Sequence, residues 1–376
     1  MHEKINILNG VRMEKKEKSK NITTNLDLIL SLNEKLARFS EELKRVGYEK
    51  IKSFDKYKPQ IIGSLKNIKA KEPNKFVFID AGSQEIPLAM DSLYLLCALS
   101  INEKGEKRFK GPYIKTTPEI REEESDIVSD EGYLRVRDVV SLIREELIFE
   151  LAVEEIEDRD PDVIVIDGPL IIRDAFLRLK GLNSFKNFLN SVEKLRKLSE
   201  KKNIPVIGFV KRPQSKFYIR TQKFPKEISN LRDPVFLDLF LNQGEFFPSP
   251  PTIPEVKSFK EISCNYYYTY YKPQDKGLYP PFRIDFNKPA LKNYKEWLKW
   301  FFDNSGPSTR GLPYMLDKVD KEVKVKEILS NHLYKEMMRK IPFNMKYLCK
   351  LQWGEEIERN GKDWPCFSYG RNLRTR

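Results

Sequence analysis

The chain has 376 residues, 40% hydrophobic and 33% charged, enough to bury a sizeable core beneath a charge-rich surface. It contains no run of eighteen apolar residues and its first twenty residues lack the apolar stretch of a secretory signal, so no membrane-spanning helix is expected and the cytoplasm is favoured. The formal charge of +13 calls for a polyanionic partner, and four scattered cysteines without a CxxC pair argue against a disulfide framework or a zinc site.

Three regions are expected: a basic arm and amphipathic helix over 1–73, an α/β domain over 74–340, and a basic, aromatic tail over 341–376. In the first, Leu28, Leu32, Leu36, Phe39 and Leu43 recur at helical spacing before Gly47. A polar connector follows to Pro73. Residues 75–80 (KFVFID) form a short β-rich run ending in a turn, and 92–101 (SLYLLCALSI) form a second strand. Gly105 then marks a hairpin into a third strand over 107–116. Residues 135–157 carry an apolar face at helical period, and Pro161 closes that helix. Residues 162–167 (DVIVID) read as a strand buried on both sides, 184–202 as a helix and 204–210 (IPVIGFV) as another buried strand.

Three hairpin-paired strands followed by helix, strand, helix, strand is the order of a ribonuclease H-like fold, a mixed sheet flanked by helices. A phosphate-binding P-loop or dinucleotide loop is excluded, because neither GxxxxGK[ST] nor GxGxxG occurs. Farther on, 248–254 (PSPPTIP) reads as a rigid loop. Residues 265–272 and 281–286 read as strands, 292–302 and 320–338 as helices, and Trp353, Trp364, Phe367 and Tyr369 mark the aromatic tail.

Two features carry chemistry. Residues 201–232 hold nine Lys or Arg against one acid, Glu227, interleaved with Phe217, Tyr218 and Phe224; phosphate contacts and base stacking would use such a segment, although a generally basic surface produces the same count. Two apolar strands end alike, in FVFIDAGS and VIVIDGPL, placing Asp80 and Asp167 at the lip of the sheet. An aspartate there caps a turn readily. Two on adjacent strands can share a hard cation such as Mg²⁺ or Mn²⁺, which prefers carboxylate oxygen, and two ions can clamp a phosphodiester. With only His2 and His332 in the chain, a histidine-rich metal site is improbable. The intervening helix offers Glu145, Glu146, Glu150, Glu154 and Glu155, of which Glu146, Glu150 and Glu154 share a face and one near the middle can supply a third ligand.

At these residues the sequence resembles the NurA family of archaeal and bacterial nucleases, from about Phe76 to Glu322. The carrying segments are FVFIDAGS, ELAVEEI followed by DVIVIDGPL, then VIGFVKR, FRIDF and GLPYMLDKVD, in that order. The resemblance implies a ribonuclease H-like DNA nuclease, exonuclease and single-strand endonuclease, Mn²⁺-dependent with two ions. It also implies a homodimer paired with the hexameric HerA ATPase in DNA-end resection. It assigns Asp80, Glu150 and Asp167 as metal ligands and Lys211 as the group that neutralises phosphate charge. Arg283 in FRIDF is a second candidate for that task, with a structural ion pair as the alternative. Lys211, Arg212, Lys216, Arg220, Lys223 and Arg283 are thus the candidate DNA-binding set. The last motif departs from the family: Leu312 stands where a Tyr often precedes Pro313, Tyr314 follows it, and Asp320, a candidate further ligand near a helix start, ends the motif. Rival readings are a non-catalytic DNA-binding scaffold on a nuclease-like fold, and another ribonuclease H-like nuclease of the Piwi or resolvase type.

Overall fold

A computed structural model of the chain describes residues 30, 32–38, 40–41, 54–88, 91–124, 132–256, 260–273, 279–324 and 327–341. The aromatic tail, Cys349, Cys366 and the basic arm lie outside them. The chain divides into two compact units, Met1–Pro59 and Gln60–Arg376. In the first, the described residues between 30 and 41 are helical, as the spacing predicts.

The second unit is built on one nine-stranded sheet, ordered β1-β7-β8-β9-β6-β5-β2-β3-β4. Its centre is the ribonuclease H-like core. Strands β2 (Phe76–Pro87), β3 (Ser92–Asn102) and β4 (Lys107–Thr116) form an antiparallel meander, and β5 (Val163–Ile166) and β6 (Val206–Val210) add in parallel on the other side of β2. Parallel strands need a crossover. The long helix Gly132–Arg159 and the helix Asn183–Lys202 supply the two crossovers. The sheet is extended by β9 (Phe282–Phe286), β8 (Tyr267–Tyr271), β7 (Glu245–Thr252) and the two-residue β1 (Gly63–Ser64), all antiparallel to their neighbours.

Three local expectations are corrected. The turn signal after Asp80 does not end the strand: β2 runs on through Pro87, and only its parallel partner β5 stops beside Ile79. The proline-rich 248–254 segment enters β7 rather than a loop. Proline cannot donate to a ladder, and Pro248, Pro250 and Pro251 lie where the register with β8 shifts between Phe247 and Thr252. The last helix is two, Tyr314–Val323 and Glu327–Lys340, so Asp320 lies inside a helix rather than at its start.

Side chains alternate across a strand, which fixes what each face meets. Phe78, Leu99, Val165, Phe209 and Ile284 share a core with Trp297, Trp300 and Phe301 of helix Tyr294–Asp303 and with Leu316, Val319 and Val323 of helix Tyr314–Val323. Burying such a side chain contributes about 1.5–3 kcal/mol. The other face carries the long helix, where Ser100 Oγ donates to Glu155 at 2.6 Å. Helix Asn183–Lys202 packs on that helix through Phe149 and Phe188, ring centroids 5.6 Å apart. Among the described residues, no helix is long and apolar enough to cross a membrane.

Candidate metal centre

Asp80 pairs with Leu99 across β2 and β3, one residue past the last parallel pair, Ile79 with Ile166. The next residue after the neighbouring strand β5 is Asp167, whose amide donates to the Ile79 carbonyl at 2.8 Å. Phe78 and Val165, two positions earlier on each strand, lie in the core beneath helix Tyr314–Val323. Alternation therefore aims both aspartates at that helix, which brings Asp320. Carboxylate oxygens of Asp80, Asp167 and Asp320 all lie within 4.8 Å of one another.

The helix reaches the sheet because residue 82 is glycine. A Cβ built there would lie 2.6 Å from the Val323 carbonyl oxygen, to which Cys97 Sγ, on the paired position of β3, donates at 3.5 Å. Gly82→Ala must push the helix end and Asp320 away. We expect a loss of about 1–3 kcal/mol, typical of overpacking, and weaker cation binding. Urea unfolding and a cation titration measure both, and wild-type values in both would contradict this account of Gly82.

Lys211 follows β6 on the same face. Its ammonium pairs with Asp167 and lies 3.0 Å from Asp320, which also accepts from Lys324 at 2.6 Å. Burial, and after it the Asp167 charge, raise the Asp80 carboxyl well above its ordinary range, with Lys211 opposing. Burial likewise raises Asp167 against the pull of Lys211. Burial would raise Asp320 too, but the hydrogen bond from Lys324 and the Lys211 charge bring it below normal. The lysine is itself held above its ordinary value by Asp167, against the effect of burial. Three carboxylates crowded against their own repulsion, Asp80 buried and the other two half-buried, fit a divalent cation.

The helix carboxylates are not brought into this group. Glu150 and Glu154 bind Lys110 on β4, at 3.1 and 2.6 Å. Lys110 pairs with Ala98 and Ser100 binds Glu155, so this helix lies on the face of β3 opposite Leu99, and hence opposite Asp80. Glu150, expected as the third ligand, lies outside the cluster, whose third carboxylate is Asp320. Glu146 on the same helix is pushed up to about 7 by burial and then by the Glu150 charge, with Lys110 opposing. A carboxyl raised in the folded state loses stability as pH rises from its unfolded value to its folded one. Glu146→Gln should thus leave the melting temperature unchanged near about pH 4 and raise it by a few degrees near about pH 8. An equal gain at both would contradict the shift.

A family model described as the NurA domain matches residues 74–325. The chain belongs to the NurA family. That match spans β2 through helix Tyr314–Val323 and so contains all four groups of the centre. Among solved structures, the chain is similar to the NurA nuclease from Sulfolobus solfataricus at 17% identity and TM-score 0.52, covering 86% of this chain and 99% of that one. It is also similar to a NurA bound to dAMP and manganese, at 13% identity and TM-score 0.54, covering 85% and 99%. A third NurA structure gives 11% identity and TM-score 0.55, covering 83% and 99%. At these identities the likeness shows the fold alone. A comparison with curated proteins gives no match.

Within this NurA domain the basic segment is only partly a free surface. Arg212, Arg220 and Lys223 are exposed, with Arg220 Nη1 3.3 Å from Asp174. Lys216 instead donates to the carbonyls of Ser229 and Asn230 at 2.9 and 3.0 Å. Of the aromatics, Phe217 is buried, and the half-buried Tyr218 packs on Phe247 with centroids 4.6 Å apart, so both rings are engaged within the fold. Arg283, expected at phosphate, is buried and bound bidentately to Asp285, at 2.8 and 3.1 Å. Arg283 and Asp285 thus form a structural ion pair. Sequence reasoning missed Asp233, fully buried, whose carboxylate accepts from the amides of Tyr218 and Ile219 at 3.0 Å each. Its only signal was a lone acid directly after a basic run.

Proposed function

We propose that the chain is a metal-dependent nuclease that hydrolyses DNA phosphodiesters, with Mn²⁺ or Mg²⁺ as cofactor and two ions in the working site. One observation carries this reading: Asp80, Asp167 and Asp320 converge around Lys211 at the edge of a ribonuclease H-like sheet. A NurA bound to dAMP and manganese has the same fold, which favours manganese and a nucleotide product. A bound divalent cation would polarise the phosphodiester and lower the pKa of the attacking water. The three aspartates hold that charge at one place. Lys211 releases an aspartate and offers its ammonium to the phosphate oxygens as negative charge develops. Arg212, Arg220 and Lys223 hold the backbone of single- or double-stranded DNA without reading sequence.

From the resemblance to NurA nucleases we further propose that it works as a homodimer beside a hexameric HerA-type ATPase in DNA-end resection. Purified protein should cut single-stranded and double-stranded DNA in Mn²⁺ and stop on chelation. No cleavage in either cation, alone or with the ATPase, would contradict the reading.

A further inference from the structure

Arg283 and Asp285 form a buried pair on β9 that touches neither the carboxylate cluster nor the surface. Their contacts lead to both loops that carry the centre. Asp285 Oδ2 accepts the amides of Leu170 and Ile171, at 3.0 and 3.3 Å, in the loop that begins at Asp167. That loop reaches β9 by crossing β6 at Gly208, the register partner of Asp285; a Cβ there would lie 2.7 Å from the Gly168 carbonyl oxygen. Arg283 is the register partner of Val210, the residue before Lys211, and its Nη1 donates to Ser215 Oγ at 3.1 Å in the loop that begins at Lys211.

The chain of donors continues in one direction. Tyr270 hydroxyl donates to Asp233 at 2.7 Å, so Ser215 Oγ, 2.7 Å from that hydroxyl, donates to it while accepting from Arg283. Asp233 then accepts the first amides of the Phe217–Thr221 helix in the basic segment. Each member is satisfied, which makes such a buried network rigid and specific.

We infer that Arg283 and Asp285 are positioning residues that set the Asp167 loop and the Lys211 loop in mutual register, and that Ser215, Tyr270 and Asp233 extend this control to the DNA-holding segment. The inference rests on the proposed nuclease reading for its catalytic consequence only. The pair acts through the backbone: it fixes where two strands deliver their first loop residues, and so fixes the separation of Asp167 and Lys211.

The test uses Asp285→Asn, Arg283→Lys and Tyr270→Phe in the full chain, at temperatures well below each melting midpoint. Amide hydrogen exchange, Mn²⁺ binding, affinity for a short single-stranded DNA in chelator, and cleavage kinetics are measured. Asp285→Asn should speed exchange in peptides covering 168–173 and weaken Mn²⁺ binding and kcat about tenfold or more, the scale of lost ligand positioning. Tyr270→Phe should leave kcat and Mn²⁺ binding unchanged, speed exchange only over 215–221, and raise KM and the DNA Kd about threefold or more, because the hydroxyl's hydrogen bonds to Ser215 and Asp233 are both lost. If Asp285→Asn does not fold, Arg283→Lys, which keeps the charge but loses the bidentate fork, should show the same pattern in weaker form. Folded variants with lower melting points but wild-type exchange, Mn²⁺ binding and DNA affinity would overturn the inference. If the wild type cuts nothing, the nuclease reading fails, while exchange and binding still decide this one.

Discussion

Asp167→Asn should abolish cleavage, by about a thousandfold or more, while the fold survives; Asp80→Asn should do the same. Both residues are largely buried beside each other, and the raised Asp80 carboxyl means that its charged form is unfavourable in the metal-free fold. The sign follows from linkage: a carboxyl raised on folding loses stability as pH climbs from its unfolded value to its folded one. Replacing Asp80 by the isosteric, neutral amide should therefore raise the metal-free melting temperature at pH values above the ordinary carboxylate range. It should also remove the stabilisation by Mn²⁺, about 2.7 kcal/mol in the wild type at a hundredfold excess over Kd. Thermal melts with and without Mn²⁺, beside a cleavage assay, read all three effects. A variant that loses activity but keeps the full Mn²⁺-dependent shift would assign Asp80 to some role other than holding the ion.

Lys211→Gln should separate cation binding from catalysis. The ammonium bridges Asp167 and Asp320, two of the three carboxylates offered to a cation. A cation must compete with it, so removing the positive charge should tighten Mn²⁺ binding. Removing the same charge should lower kcat by about a hundredfold to a thousandfold, as when one preorganised donor to a developing oxyanion is lost. Calorimetric titration of Mn²⁺ and single-turnover kinetics on a labelled strand give the two quantities. Weaker Mn²⁺ binding with unchanged kcat would make Lys211 a structural counter-ion and nothing more.

The central strands were legible because burial on both faces leaves an unbroken apolar run, as in 163–166, and because the strand, helix, strand order is a local pattern. Sheet position was not. Whether Asp80 ends a strand or continues through it depends on its partners: β3 accompanies β2 to Pro87, whereas β5 stops at Ile166. Proline content hid β7, since the sequence does not say where a partner strand loses register.

The centre was half legible for a related reason. Asp80 and Asp167 stand out as acids closing apolar runs, a pairing that needs only the strand order. Selecting the third carboxylate needs the face on which each element packs. Glu150 has suitable helical spacing but belongs to the helix on the wrong side of β3, and it is held there by Lys110. Asp320 reaches the site through a contact more than two hundred residues distant in sequence, the approach of Val323 to Gly82. Arg283 illustrates the limit of reading charge: a guanidinium in an apolar strand reads equally as a phosphate ligand or a buried tie, and only burial separates them.

The most direct test of the metal centre is anomalous diffraction from crystals soaked in Mn²⁺. The geometry predicts a peak bounded by Asp80, Asp167 and Asp320, with the Lys211 ammonium displaced from between the last two. A peak at Glu150 and Glu154 instead, or no peak while Lys211 still bridges Asp167 and Asp320 at saturating Mn²⁺, would contradict it.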